Sequence, residues 1–127
     1  MTRVYLYACT IIYLLEGADP LHSLVVARLL RYQADPEARL LTSILSRLEC
    51  RTRPLATSDA RLLGLYDQFF GGARLDLAAI DAAVIDAATE LRARYRFRSP
   101  DAIHLATALR YGADVFLTGD ANLQRCA

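Results

Sequence analysis

A chain of 127 residues holds one buried core and is too short for two. Its apolar share of 54% and mean hydropathy of +0.20 exclude a long disordered tail. A formal net charge of +1 excludes the global basic field that marks many nucleic-acid binders, although all fifteen basic residues are arginine, the better bidentate partner for phosphate.

The elements follow in order. Arg3 to Tyr7 alternates and is rich in β-formers, which predicts a first strand, with a helix over Ala8 to Leu15 directly after it. The apolar run Ile11 to Leu15 is far too short to span a membrane and no cleavable signal pattern precedes it, so a soluble cytoplasmic protein is expected. Gly17, Asp19 and Pro20 break the chain, and Leu21, Leu24, Val25, Leu29 and Leu30 mark a second amphipathic helix up to Tyr32. Arg39 to Thr42 is a second strand, and Ser43 is a candidate cap for a helix through about Arg51 that Pro54 stops. On that helix Leu45, Leu48, Glu49 and Thr52 are expected to share an inward face.

Thr57 or Ser58 starts the next helix, buried through Leu62, Leu63, Leu65, Tyr66 and Phe69, and Gly71-Gly72 turns the chain into a third strand over Arg74 to Leu77. Ala78 to Tyr95 reads as one alanine-rich helix. Ser99 can cap the last helix, with Pro100 at its first position, Asp101 in its first turn, a one-sided face of Ala102, Leu105, Ala106 and Leu109, and Gly112 as its stop. Val115 to Thr118 is the fourth strand, and Asp120 falls just past its end. Strands alternating with pairs of helices predict a three-layer α/β/α fold around a mostly parallel sheet of four or five strands, one domain over residues 1–127. Cys9, Cys50 and Cys126 are widely spaced without a CxxC pair, which points to neither a zinc site nor a disulfide framework and fits a reducing cytosol.

Function is expected at the carboxyl ends of the strands. Glu49, Asp101 and Asp120 can all be placed on or near that edge. Clustered carboxylates repel one another and persist mainly where a cation neutralises them, and oxygen donors without histidine or cysteine favour Mg2+ or Mn2+. Such ions serve phosphoryl chemistry.

With these residues in place, the sequence resembles the PIN-domain ribonucleases, and most closely the VapC-type toxins of prokaryotic toxin–antitoxin pairs. Val4 to Leu15 is similar to the family's opening strand and helix, Thr42-Ser-Ile-Leu-Ser-Arg-Leu-Glu49 to its second motif, Ser99-Pro-Asp-Ala-Ile-His-Leu-Ala-Thr-Ala-Leu109 to its third, and Phe116-Leu-Thr-Gly-Asp120 to its fourth. The resemblance implies a PIN-like α/β/α domain and a metal-dependent endoribonuclease. It makes Glu49, Asp101 and Asp120 ligands of Mg2+ or Mn2+, with Thr118 an accessory polar group. It further implies an RNA substrate, a cognate antitoxin bound in an apolar groove, a homodimer and a cytoplasmic setting.

The chain departs from the family in the first motif, where the place of the acid is taken by Tyr7 and the next polar place by Cys9. A phenol is neutral at pH 7 and a poor substitute for a charged ligand, so weaker metal binding and little cleavage are expected. Relatives also continue past the Asp120 motif into a final short strand, whereas this sequence stops at Ala127.

Plainer readings stand beside these. Glu49 could pair with Arg53 at i+4, Asp101 could serve only the helix dipole, and Asp120 could be a turn residue. Asp114 reads as a turn or partner residue, His104 as structural and His22 as surface. Arg92, Arg94, Tyr95, Arg96 and Arg98 form either an RNA-facing patch or a solvated helix end. The alternative to an endoribonuclease is a non-cleaving PIN domain that binds antitoxin or RNA. A phosphohydrolase on another doubly wound fold is disfavoured, because no Asp-x-Asp follows the first strand and no glycine-rich phosphate loop is present.

Overall fold

A computed structural model describes residues 2–17 and 19–118. The elements run β1 (Arg3–Leu6), α1 (Ala8–Glu16), α2 (Leu21–Gln33), β2 (Arg39–Ser43), α3 (Leu45–Ala56), α4 (Ala60–Phe70), β3 (Leu75–Ala78), α5 (Ala82–Tyr95), α6 (Ser99–Arg110) and β4 (Val115–Leu117). The expected alternation of strands and helix pairs is therefore present.

All strand pairs are parallel, in the order β3-β2-β1-β4. The central strand β1 is covered on both faces: Val4 and Leu6 pack with Ile11, Cys50, Tyr66 and Phe70 from α1, α3 and α4, while Tyr5 points the other way toward Leu41, Ala78 and Ala108. Helices on both faces make the domain a three-layer α/β/α fold. The chain steps from β1 through β2 to β3 in one direction and then returns past β1 to β4. That reversal opens a crevice at the carboxyl ends of β1 and β4, where open parallel sheets place ligands.

Several local expectations are corrected. Pro54 lies inside α3 rather than stopping it, because the proline falls in the last turn and the helix closes on the carbonyls of Arg53 and Leu55. The inward face of α3 is Ser46, Cys50 and Pro54, at i, i+4 and i+8, whereas Leu48 and Thr52 face solvent. Thr57 and Ser58 do not start α4. Ser58 takes a left-handed φ of 56°, and Asp59 caps the helix by accepting from the Leu62 N–H at 3.0 Å.

The helix expected from Ala78 starts at Ala82, since Ala78 is held in β3 opposite Ser43 and Asp81 caps α5 through the Val84 N–H. Ser99 is already inside α6, whose N-cap is Arg98, and Leu109 is exposed. That helix is not one-sided: Asp101, Ala102 and His104 through Ala108 are all buried, because it is wedged between the sheet and α5. Thr118 follows β4 rather than ending it, and Gly112 at φ 69° turns the chain after α6 as expected. Asp114 is a partner residue, its carboxylate accepting from the Arg3 N–H at 2.8 Å. Among the described residues no single helix is long and apolar enough to cross a membrane.

Candidate active site at the carboxyl edge of the sheet

Three elements converge on the crevice. Tyr7 leaves β1 as the N-cap of α1, its N–H donating to the Leu117 carbonyl of β4 at 3.1 Å. Glu49 comes from the second turn of α3, and Asp101 from the first turn of α6, where the helix dipole favours a carboxylate. Asp120 and Cys126 lie outside the described residues. Thr118 stands beside the crevice, where it lines a cleft of about 350 Å³ with Thr10, Tyr13 and residues of α2.

Asp101 is 4% exposed, and such a buried carboxylate needs partners. The Tyr7 hydroxyl donates to its Oδ1. Arg98 holds the other oxygen, with Nε 3.0 Å from Oδ2 and Nη2 3.4 Å from Oδ1. Both oxygens are thus engaged by the protein. Burial, together with the neighbouring Asp101 and Glu49 carboxylates, pushes the Tyr7 phenol well above its ordinary pKa, so it stays a neutral donor.

Glu49 has a different partner from the Arg53 considered above. Its Oε1 is 2.5 Å from Nε2 of His104, a fully buried imidazole whose Nδ1 is 2.6 Å from the Tyr5 hydroxyl. The Tyr5 oxygen in turn accepts from the Ser43 N–H at 3.2 Å. The Tyr7 ring lies against His104, centroids 4.4 Å apart, so tyrosine and imidazole separate the two carboxylates. Cys50, beneath the site, is an inert thiol: burial raises its pKa to about 12. Cys9 is half-buried in the first turn of α1.

The hydrogen bonds test whether these groups fit a divalent cation. No buried side-chain nitrogen or oxygen among the described residues lacks a partner. No three histidine, cysteine, aspartate or glutamate side chains among them gather around a common point. Asp101 has no free oxygen to offer, and Tyr7 offers a proton rather than a charge. With tyrosine at position 7, the described residues do not fit a divalent ion.

The sequence reading took His104 as structural and Arg98 as part of an arginine run, and missed their pairing with the two acids. His104 and Arg98 both sit three residues from Asp101, a spacing that puts them on adjoining rows of the same helical surface, and that spacing was the available signal. His22 is half-buried with Nδ1 3.2 Å from the Tyr13 carbonyl. Of the arginine run, Arg92 closes the end of α5 on the Phe97 carbonyl, while Arg94, Arg96 and Arg98 are exposed.

Solved structures show the same fold. The VapBC2 complex of Rickettsia felis bound to a DNA fragment from its promoter superposes with a TM-score of 0.79 at 15% identity, covering 98% of this chain and 92% of that one. The sarcin-ricin loop cleaving toxin VapC20 of Mycobacterium tuberculosis gives 0.78 at 15% identity over 98% and 95%. A toxin–antitoxin complex from Klebsiella pneumoniae gives 0.69 at 17% over 92% and 86%. No curated protein matches the chain. The PIN domain family model matches residues 4–127, so the chain belongs to the PIN-domain family.

Proposed function

We propose that this chain is the toxin of a VapBC-type pair, a PIN-domain endoribonuclease whose centre is impaired by Tyr7. The observation that carries the reading is the Tyr7 hydroxyl bonded to Asp101, at the position where the family resemblance calls for an acid. Glu49, Asp101 and Asp120 are then the remaining acids of the centre, Thr118 its accessory polar group and RNA its substrate. PIN nucleases generally use divalent metals; an aspartate at position 7 would remove the phenol proton and restore a carboxylate beside Asp101, making the pocket one for Mg2+ or Mn2+. The cytoplasmic setting and a homodimer belong to the same reading.

Cleavage of structured RNAs with and without Mn2+ tests it, comparing the native chain, Tyr7→Asp, and Tyr7→Asp combined with Asp101→Asn. Cutting by Tyr7→Asp alone supports the reading. Equal cutting by the native chain would remove the impairment, and cutting by the Asp101→Asn double variant would remove Asp101 from the centre.

A second reading, a non-cleaving module that binds an antitoxin or RNA, is favoured by α2. Its thirteen residues include none that is buried, and Leu21, Leu24 and Leu30 are 45–58% exposed beside the cleft against α1. Amphipathic partner helices dock on such faces. Two of the structural neighbours are complexes of toxin with antitoxin. Failure of Tyr7→Asp to cut any RNA, with retention of RNA by the native chain in mobility-shift experiments, would put this reading first.

A further inference from the structure

His104 is fully buried, as is Tyr5, and its two ring nitrogens have different partners. Glu49 as a carboxylate can only accept, so the proton between it and His104 belongs to Nε2. On the other side, burial keeps Tyr5 a phenol far above its ordinary pKa, and its oxygen already accepts from the Ser43 N–H. Its hydroxyl lies 2.6 Å from Nδ1, with the Thr42 and Thr107 hydroxyls also beside it, and with the proton on Nε2 the ring nitrogen Nδ1 is the one of these groups that carries no proton of its own. The hydrogen bonds therefore run in one direction, from Ser43 N–H to Tyr5 Oη, from Tyr5 O–H to His104 Nδ1, and from His104 Nε2–H to Glu49 Oε1. The chain of donors crosses β2, β1, α6 and α3.

We propose that His104 is a positioning residue for Glu49. Its Nε2–H locks Oε1 and leaves Oε2, which has no partner among the described residues, as the oxygen that the crevice presents. The contrast with Asp101 sharpens the assignment. Both Asp101 oxygens are engaged by Tyr7 and Arg98, whereas Glu49 is held by one oxygen only and keeps a quarter of its side chain exposed. Tyr5 sets the tautomer from below and the tilted Tyr7 ring lies against the imidazole, centroids 4.4 Å apart, so both neighbours oppose a swing away from Glu49. The proposal rests on the reading of Glu49 as an acid of the centre, but the state of the ring can be tested apart from it.

Two measurements do so. The first is the nitrogen-15 spectrum of the histidine rings in the intact chain, with His22→Gln identifying the second ring. A single Nε2–H tautomer is expected for His104; Glu49→Leu should keep it, because Tyr5 still donates to Nδ1, but should move the Nε2 signal as the acceptor is lost. Protonation of Nδ1 in the native chain, or an Nε2 signal unmoved in Glu49→Leu, would overturn the assignment. The second measurement is RNA cleavage in the Tyr7→Asp background. His104→Asn keeps an acceptor, its amide oxygen, near Nδ1 but loses reach to Glu49, and should lower the cleavage rate about 10–100-fold. His104→Gln places its amide nitrogen near the Nε2 position and should restore most of that loss. Equal loss in both variants, at equal melting temperature, would mean that His104 merely fills space. If Tyr7→Asp cuts nothing, the nuclease reading fails and the tautomer result still decides the role of His104.

Discussion

The pair Tyr7 and Asp101 shows how one residue changes the character of a site. A carboxylate that is 4% exposed must be met by donors, and here a phenol and a guanidinium supply them. Tyr7→Phe keeps the ring packed on His104 but deletes the proton given to Oδ1. It should cost about 1–3 kcal/mol in urea unfolding, since a buried acceptor loses its partner. A loss indistinguishable from zero would mean that Arg98 alone satisfies Asp101. At this scale the placing of Glu49, Asp101 and Tyr7 near one edge of the sheet was legible in the sequence. The partners of those acids were only partly so. Glu49 and His104 are 55 residues apart, and no local period joins an α3 carboxylate to an α6 imidazole; only the folded sheet brings them together. Asp120 lies outside the described residues, so its place in the centre is part of the proposal alone.

Elements were legible where hydrophobic period and turn residues agreed, and misread where they competed. For α3, leucine positions suggested an inward face through Leu45 and Leu48, yet the helix turns small and polar residues, Ser46 and Cys50, against the centre of the sheet. Close approach explains the choice. Thr42 and Ser46 share a hydrogen bond at 2.6 Å beneath the crevice, and bulky side chains there would push α3 away. The α5–α6 pair obeys the same rule: Ala88, Ala102 and Ala106 pack with Val84 and Leu105, so the two helices meet through small side chains. Ala106→Leu should therefore destabilise by about 1–3 kcal/mol through overpacking, and Leu109→Ala, on the exposed side of the same helix, by under about 0.5 kcal/mol. Urea midpoints compare the two, and a neutral Ala106→Leu would show that the helices have room to part. Capping can be checked on α5, where Asp81→Ala should cost about 1 kcal/mol by releasing the Val84 N–H.

Across the whole molecule, the layered packing draws protons into the core in a way that fixes its pH behaviour. Tyr5, Tyr7 and Tyr66 each have an ordinary pKa of 10.0 and are driven well above it, chiefly by burial, while Cys50 rises from 9.0 to about 12. In the unfolded chain these four groups release their protons as pH passes about 9–10, but in the folded chain they keep them. Above that point the unfolded state binds fewer protons than the native state, so stability falls with rising pH; below it their contribution is fully present. Unfolding by urea at a series of values between about pH 8 and pH 11 should show a midpoint that is level at first and then declines steadily. Tyr66→Phe separates this linkage from a general alkaline effect. It removes the hydroxyl bonded to Glu16 and so lowers stability at every pH, but it also removes one of the four protons from the balance, and the decline above about pH 10 should be shallower than in the native chain. A slope unchanged by Tyr66→Phe would show that the buried phenols are not what the alkaline limit of this fold is made of.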